Sequence, residues 1–408
     1  MGDRIMATII NADTSEGLKL TSDTSGELEL QSNGTTKVKI TSSGLTDTNN
    51  NVITSQSGKN LIINGDMRIA QRGTSTTGLQ YNKDNIYPSC DRWQFSEFGS
   101  TSYTAAFTGE QSTDVPNGQG FANSFKLDCT TADATLEADT AVVIRQMIEA
   151  QNLQHLKYGT SNAESITLSF WVKSNITGTF TIVLNHVDGA KYYGADYTID
   201  TANTWEKKTL TIEGNTSNAI DNDNNIGFRV QFYLAVGSNY ASGTNEQWTS
   251  GTDSADIAPN MTNNIGGSTS NYINITGVQL EVGTTATPFE NLQYGQQLAM
   301  CQRYYQRFDG GSAFTTGING VYNDTTTLIG LHQHLVPFRA TPTFSYSSLA
   351  HFDLEPFDAQ PTSLSANASG NLYQSSVSGK DPTARTRGFG GTITCDSSAG
   401  YFDFSAEL

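Results

Sequence analysis

The chain has 408 residues, a formal net charge of −17 and only 15% charged residues, against 36% hydrophobic and 10% aromatic. With no run of Lys or Arg, this balance argues against duplex DNA or RNA as the main ligand, and no stretch is long and apolar enough to span a bilayer. Polarity comes instead from Ser, Thr, Asn, Gln and 38 glycines, which suits a β-rich protein of an extracellular or particle surface with many tight turns better than a metabolic enzyme.

The opening Met1-Gly2-Asp3-Arg4-Ile5-Met6 lacks the apolar run of a signal peptide, so synthesis in the cytosol without its own export signal is expected. Three apolar doublets follow at a regular interval: Leu18 and Leu20, Leu28 and Leu30, Val38 and Ile40. Each doublet brackets one polar residue and precedes a turn, Ser22 to Gly26, Ser32-Asn33-Gly34 or Ser42-Ser43-Gly44, as in a meander of short strands. The bracketed Lys19, Glu29 and Lys39 would then alternate in charge on the outer face, a favourable cross-strand order. Two apolar side chains per repeat bury too little surface to offset the entropy of ordering the backbone. The region therefore reads as a stalk shared between identical chains, most simply a trimer; a flexible polar tail carrying a chance repeat is the competing reading.

Beyond the polar break Asp47 to Asn51, strand-like segments recur between Gly, Asn and Asp clusters: Phe125 to Cys129, Ile166 to Lys173, Thr179 to His186, Trp205 to Ile212 and Phe228 to Val236. They predict a β-sandwich. Ile166, Leu168, Phe170 and Val172 face its core, with Trp171 on the other face. The segment from Val142 to Leu156 reads as a strand passing into a short helical turn. Tyr294, Leu298, Cys301, Tyr305 and Phe308 fall at helical spacing, which predicts one amphipathic helix packed on the sandwich or meeting symmetry mates on an axis. The last hundred residues form a β-rich tip. The fold expected is all-β, with an attachment and stalk region over 1–59, a central sandwich over 60–293, and a connecting helix with tip over 294–408.

Ordered motifs run through the middle of the chain: Asn60 to Met67 with Ala70-Gln71-Arg72-Gly73, Asp91-Arg92-Trp93, Arg145 to Glu149, and Ser169 to Lys173. They continue in Ile275 to Gly283, Ala286 to Glu290, Cys301 to Tyr305, and Pro337 to Thr343. This series, from about Asn60 to Phe344, resembles the carbohydrate-binding-module-like jelly roll of bacteriophage tail fibre proteins. Ala7 to Ala12 and Ser25 to Thr35 resemble the virion-proximal end of such fibres. The resemblance implies a homotrimeric appendage of the virion, made in the host cytoplasm, with its N-terminal region joined to other virion proteins and its tip outward. Whether it would be mounted on tail or head, and which host it meets, stays open.

A glycan site needs aromatic rings amid amides. The candidates are Tyr192, Tyr193 and Tyr197, Tyr240 with Trp248, and Tyr322 beside Asn319, Asn323 and Asp324; core packing or subunit contact is the plainer reading of each ring. Trp93, Trp171 and Trp205 are expected in the core, and Asp91 with Arg92 as a buried ion pair. The run Asp221 to Asn225 lacks the glycine and terminal glutamate of a calcium loop and reads as a solvated turn. His332 and His334 share a strand face without Cys or carboxylate partners nearby, and Cys90, Cys129, Cys301 and Cys395 form no C-x-x-C unit. Neither a metal nor a cofactor is therefore expected. No catalytic motif is present, so no enzyme is expected, although two spaced carboxylates would suffice for a depolymerase. The reading is adhesion to a host surface polysaccharide or lipopolysaccharide, with an architectural fibre making only protein contacts as the rival.

Overall fold

The computed structural model describes residues 28–32, 35–41, 44–46, 58–81, 86–99, 101–251, 257–309, 317–367 and 371–408. Two compact units emerge, Met1–Ser57 and Gly58–Leu408. In the first, β1 (Leu28–Ser32), β2 (Thr35–Thr41) and β3 (Gly44–Thr46) form an antiparallel sheet in sequence order. Glu29 lies opposite Lys39 and their side chains meet at 3.2 Å, the register that the bracketed charges suggest. Leu30 and Ile40 stay 44% and 43% exposed. The Leu18 and Leu20 doublet, Lys19, the turn at Ser22 to Gly26, the Ala7 to Ala12 motif and the break at Asp47 to Asn51 lie outside the described residues.

The second unit begins with β4 (Ser75–Leu79), β5 (Gln94–Phe98), β6 (Ala106–Ser112), β7 (Ser124–Thr131), β8 (Ala141–Glu149), β9 (Ile166–Ser174), β10 (Gly178–His186), β11 (Lys191–Ile199), β12 (Glu206–Ile212), β13 (Ile226–Val236), β14 (Trp248–Ser250) and β15 (Tyr272–Val282). They form two six-stranded antiparallel sheets, β14-β11-β10-β13-β8-β5 and β12-β9-β15-β7-β6-β4. Period-two alternation sends one side of each strand into a shared core. Ile166, Leu168, Phe170 and Val172 are fully buried, Trp171 on the other face is half-buried, and Phe170 meets Phe232 of the facing sheet edge-on at 5.1 Å. The chain is all-β in class. β8 gives way at Glu149 to a short 3₁₀ turn over Ala150–Leu156. All four cysteines are buried and free.

The chain continues through α1 (Tyr294–Gln302), β16 (Tyr305–Asp309), β17 (Gly317–Tyr322), β18 (Thr327–Gln333), β19 (Thr343–Tyr346), β20 (Phe352–Glu355), β21 (Ser363–Asn367), β22 (Gln374–Lys380), β23 (Gly390–Cys395) and β24 (Tyr401–Ser405). The helix is shorter than its spacing predicts: it ends at Gln302, and Tyr305 and Phe308 lie in β16, which pairs with β24 almost a hundred residues away. Over so short a stretch a helical stripe and a strand present similar patterns, and pairing with a distant strand decides between them. The sheets here are β16-β24-β19 and β20-β23-β17-β18-β22-β21, around a second core that includes Tyr322, Leu328, Phe338, Phe352, Phe402 and Phe404.

Several motif residues link the sandwich to the C-terminal strands, Gln71 to the Tyr305 carbonyl and Glu149 to Arg303 among them, while others lie in the sandwich core. Asn64, at positive φ, uses its side chain to bind Ile69 and the Asp91 carbonyl, while its own carbonyl accepts from the Trp93 indole at 3.0 Å. Asp91 and Arg92 are both buried but do not pair with each other, contrary to expectation. Asp91 accepts from the backbone N and side chain of Gln71, and burial pushes its carboxyl up to about 6 against the pull of Arg72. The positive φ of Arg92 turns its guanidinium elsewhere, onto the Tyr304 ring at 3.5 Å and into an ion pair with Glu407. Trp205 is half-buried rather than core, with its indole donating to Asp114. The run Asp221 to Asn225 is a turn that reaches the C-terminal part: the Asn224 amide donates to the Arg339 carbonyl at 2.6 Å.

Candidate functional site

In the six-stranded C-terminal sheet, alternation sorts the side chains sharply. Ile318, Tyr322, Leu328, Val377 and Leu364 point into the core. Their neighbours Asn319 and Val321 on β17, Ile329 and Leu331 on β18, Gln374, Ser376 and Ser378 on β22, and Ser365 and Asn367 on β21 lie on the opposite, open face. Register brings them into rows: Ile329 opposes Val321 and Ser378, Leu331 opposes Ser376, and Gln333 opposes Gln374. The β17–β18 turn is fixed by Asp324, whose carboxylate accepts from the backbone N of Thr326 and Thr327, both at 2.7 Å.

The face is hollowed into a groove of about 640 Å³ lined by Asn323, Thr327, Ile329, Leu331, Ser365, Asn367, Asn371, Gln374, Ser376 and Ser378. A second hollow of about 390 Å³ adjoins it over Asn319, Gly320, Val321 and Gly330 and shares Ile329, Leu331 and Ser376 with it. Polar side chains on this face already hold one another: Gln333 donates to Gln374 at 2.8 Å, the Ser365 and Ser378 hydroxyls form a hydrogen bond at 2.9 Å, and Thr392 donates to Asn319 at 2.8 Å. An aliphatic stripe runs beside them, with Leu331 61% and Val321 49% exposed. Among the described residues the lining contains no acidic or basic side chain. It offers hydrogen bonds of both senses and a nonpolar platform, with no ionic contact.

The aromatic candidates lie elsewhere, mostly in the cores. Tyr192, Tyr193, Tyr197, Tyr240 and Tyr322 are all buried and present no ring face to solvent, which corrects their assignment as stacking platforms. Tyr197 stacks on Phe180 at 5.7 Å, and burial raises its hydroxyl pKa. Tyr240 packs edge-on to Phe98 at 5.8 Å. Tyr193 joins Tyr158, His186 and the half-buried Trp248, whose indole donates to the Glu213 carbonyl at 2.8 Å. Tyr192, Tyr193 and Tyr322 lie in strands whose neighbours enclose their rings, Tyr197 is covered by Phe170 and Phe180, and Tyr240 sits in the turn after β13 against Phe98.

Tyr322 is the instructive case. Its ring faces the core and its hydroxyl donates to the buried Asp381 at 2.7 Å, with burial pushing its pKa up to about 12. Its neighbours Asn319 and Asn323 border the groove. The ring named from the sequence thus points into the core, while the amides named beside it border the hollows. Sequence reasoning missed Ser365, Gln374, Ser376 and Ser378, although Gln374-Ser375-Ser376-Val377-Ser378 already alternates hydroxyls with an apolar residue.

His332 and His334 lie on the core side of the same sheet. His332 stacks on Phe404 at 5.1 Å, and His334 meets Phe338 edge-on at 4.7 Å. Burial pushes both imidazoles down to about 4, His334 adding to the shift at His332. Among the described residues no group of three or more His, Cys, Asp or Glu is placed to hold a metal ion.

No family model matches the sequence, and no curated protein matches it. Solved structures similar to it include the enzymatically active domain of tailspike protein 4 from bacteriophage CBA120, at 17% identity and TM-score 0.29 over 55% of this chain and 22% of that one. A putative sugar-binding protein from Bacteroides thetaiotaomicron is similar at 12% identity and TM-score 0.30, over 55% of this chain and all of that one (100%). A family 11 carbohydrate-binding module of a Clostridium thermocellum cellulosomal cellulase is similar at 13% identity and TM-score 0.25, over 50% and 94%.

Proposed function

We propose that this chain is an adhesion subunit of a bacteriophage fibre and binds a glycan of the host bacterial surface through the open face of its C-terminal sheet. The observation that carries the reading is the groove itself: amides and hydroxyls flank an aliphatic stripe, the combination that accepts sugar hydroxyls on one side and the C–H face of a pyranose on the other. The ordered motif series from Asn60 to Phe344 supports the fibre assignment. The protein acts by binding rather than by catalysis, is made in the host cytoplasm and is carried on the virion, with its N-terminal region toward other virion proteins. Three chains assemble around the N-terminal strands, where Leu30 and Ile40 await a covering surface. Trimeric assembly lets weak sites act together.

The test is binding of the purified chain to susceptible host cells and to their extracted polysaccharide, with Leu331→Asp and Gln374→Ala as variants. Adhesion that falls at least tenfold in both, at unchanged thermal midpoint, supports the reading; absence of binding to every susceptible host surface overturns it. The architectural rival draws on the same exposed Leu331 and Val321, which also suit a protein surface. It predicts that Leu331→Asp changes the assembled mass instead.

A further inference from the structure

We infer that the groove of the C-terminal sheet selects an uncharged stretch of polysaccharide, several sugars long, over acidic glycans. The inference rests on the glycan-binding reading above and adds the chemical class of the ligand. Its first support is the lining: the polar groups are Asn, Gln, Ser and Thr, and no Lys, Arg or His is among the described lining residues. A uronate, sulfate or phosphate seated there would lose water without gaining a cation, and an unpaired buried charge is strongly disfavoured. Neutral hydroxyls lose nothing comparable, because each amide and hydroxyl of the face both donates and accepts.

The charges that do lie nearby are spoken for or stand at the rim. The Asp324 carboxylate is held by the backbone of Thr326 and Thr327. Arg385 is engaged with the buried Asp381, at 2.8 Å. Lys380 ends β22 on the same open face, opposite the lining Thr327, and is the one Lys of β22 at the groove's edge, outside its lining. A chain with net charge −17 moreover repels polyanions at a distance.

The reach of the site follows from sheet geometry. Four neighbouring strands, β17, β18, β22 and β21, contribute to the hollows, and strand spacing makes that row about 14 Å across. A ligand crossing it meets the aliphatic stripe and then successive hydroxyl rows, which calls for an oligosaccharide segment rather than one sugar.

The experiment is calorimetry or array binding of the full chain with neutral probes (dextran, galactan, mannan) and acidic probes (polygalacturonate, hyaluronan), at about 50 mM and about 500 mM NaCl, a span that shortens the screening length severalfold. Binding to at least one neutral probe, with affinity changing less than twofold between the salts and lost by more than tenfold in Leu331→Asp, is the expected result. Preference for acidic probes, weakening as salt rises, overturns the inference while leaving glycan adhesion standing. No binding to any probe or to host polysaccharide, with Leu331→Asp altering the assembled mass, overturns both. The thermal midpoint of each variant confirms that it is folded.

Discussion

Arg303 grips Glu149 with both arms of its guanidinium, Nε to Oε1 at 2.9 Å and Nη2 to Oε2 at 2.8 Å, and Tyr304 donates its hydroxyl to the same carboxylate at 2.5 Å. Glu149 closes β8 of the sandwich, whereas Arg303 and Tyr304 open the C-terminal part. Burial opposes ionisation of Glu149, yet the hydrogen bonds from Arg303 and Tyr304 hold its carboxyl below the usual range. Glu149→Ala removes the acceptor of Arg303, Tyr304 and Gln151 at a buried joint and should lower stability by about 3 kcal/mol, toward the lower end for a broken buried pair because Arg303 is partly exposed. Arg303→Lys keeps the charge without the fork and should recover only part of the loss. Denaturant midpoints of the three proteins check this.

The two core histidines make acid stability depend on pH in a definite direction. Their folded pKa values, about 4, lie below the ordinary 6.5, so the unfolded chain binds protons first as pH falls. Their contribution is complete above about pH 6.5 and is lost progressively as pH drops to about 4. Asp353, raised to about 6 by burial and by Asp396, acts with the opposite sign in an overlapping window, so the informative quantity is a difference between variants. His332→Phe preserves the stack on Phe404 and removes one titrating ring. Its thermal midpoint should fall less than that of the parent between pH 7 and pH 4.5; parallel curves would refute the assignment.

Assembly should depend on the N-terminal sheet. Leu30 and Ile40 lie on the half-exposed side of β1 and β2, and a carboxylate at either position disfavours burial against a second chain. The Leu30→Asp/Ile40→Asp double variant should sediment as a single chain, whereas the parent should show the mass of three. A single-chain parent at micromolar concentration would remove the trimer.

Two glycines should respond oppositely to a methyl group. A Cβ at Gly65 would sit 2.1 Å from the Val278 carbonyl oxygen, a backbone atom that cannot swing aside. Gly65→Ala should destabilise by about 1–3 kcal/mol. Gly295 lies in α1 with nothing within 4 Å of its would-be Cβ. Gly295→Ala should leave stability unchanged or raise it by up to about 1 kcal/mol. Paired thermal melts decide.

Much of the fold was legible because alternation is a local property. The strand through Ile166, Leu168, Phe170 and Val172 follows from side chains two apart sharing a face, and the Glu29 to Lys39 pairing follows from equally spaced doublets. The candidate site was less legible. Composition marks Tyr322 as a ring amid amides, but the ring turns inward to Asp381 while Asn319 and Asn323 stay at the groove.

The sequence by itself determined that this chain is β-structured, which residues alternate, and where turns interrupt them, since these depend on neighbours a few positions away. Only the tertiary structure decided which side of each strand stays open to water, that the helix stops at Gln302, and that Arg92 finds Glu407 instead of Asp91. Those outcomes rest on contacts between segments as much as 315 residues apart. No local pattern encodes such a contact, because burial is set by whatever the rest of the chain packs on top.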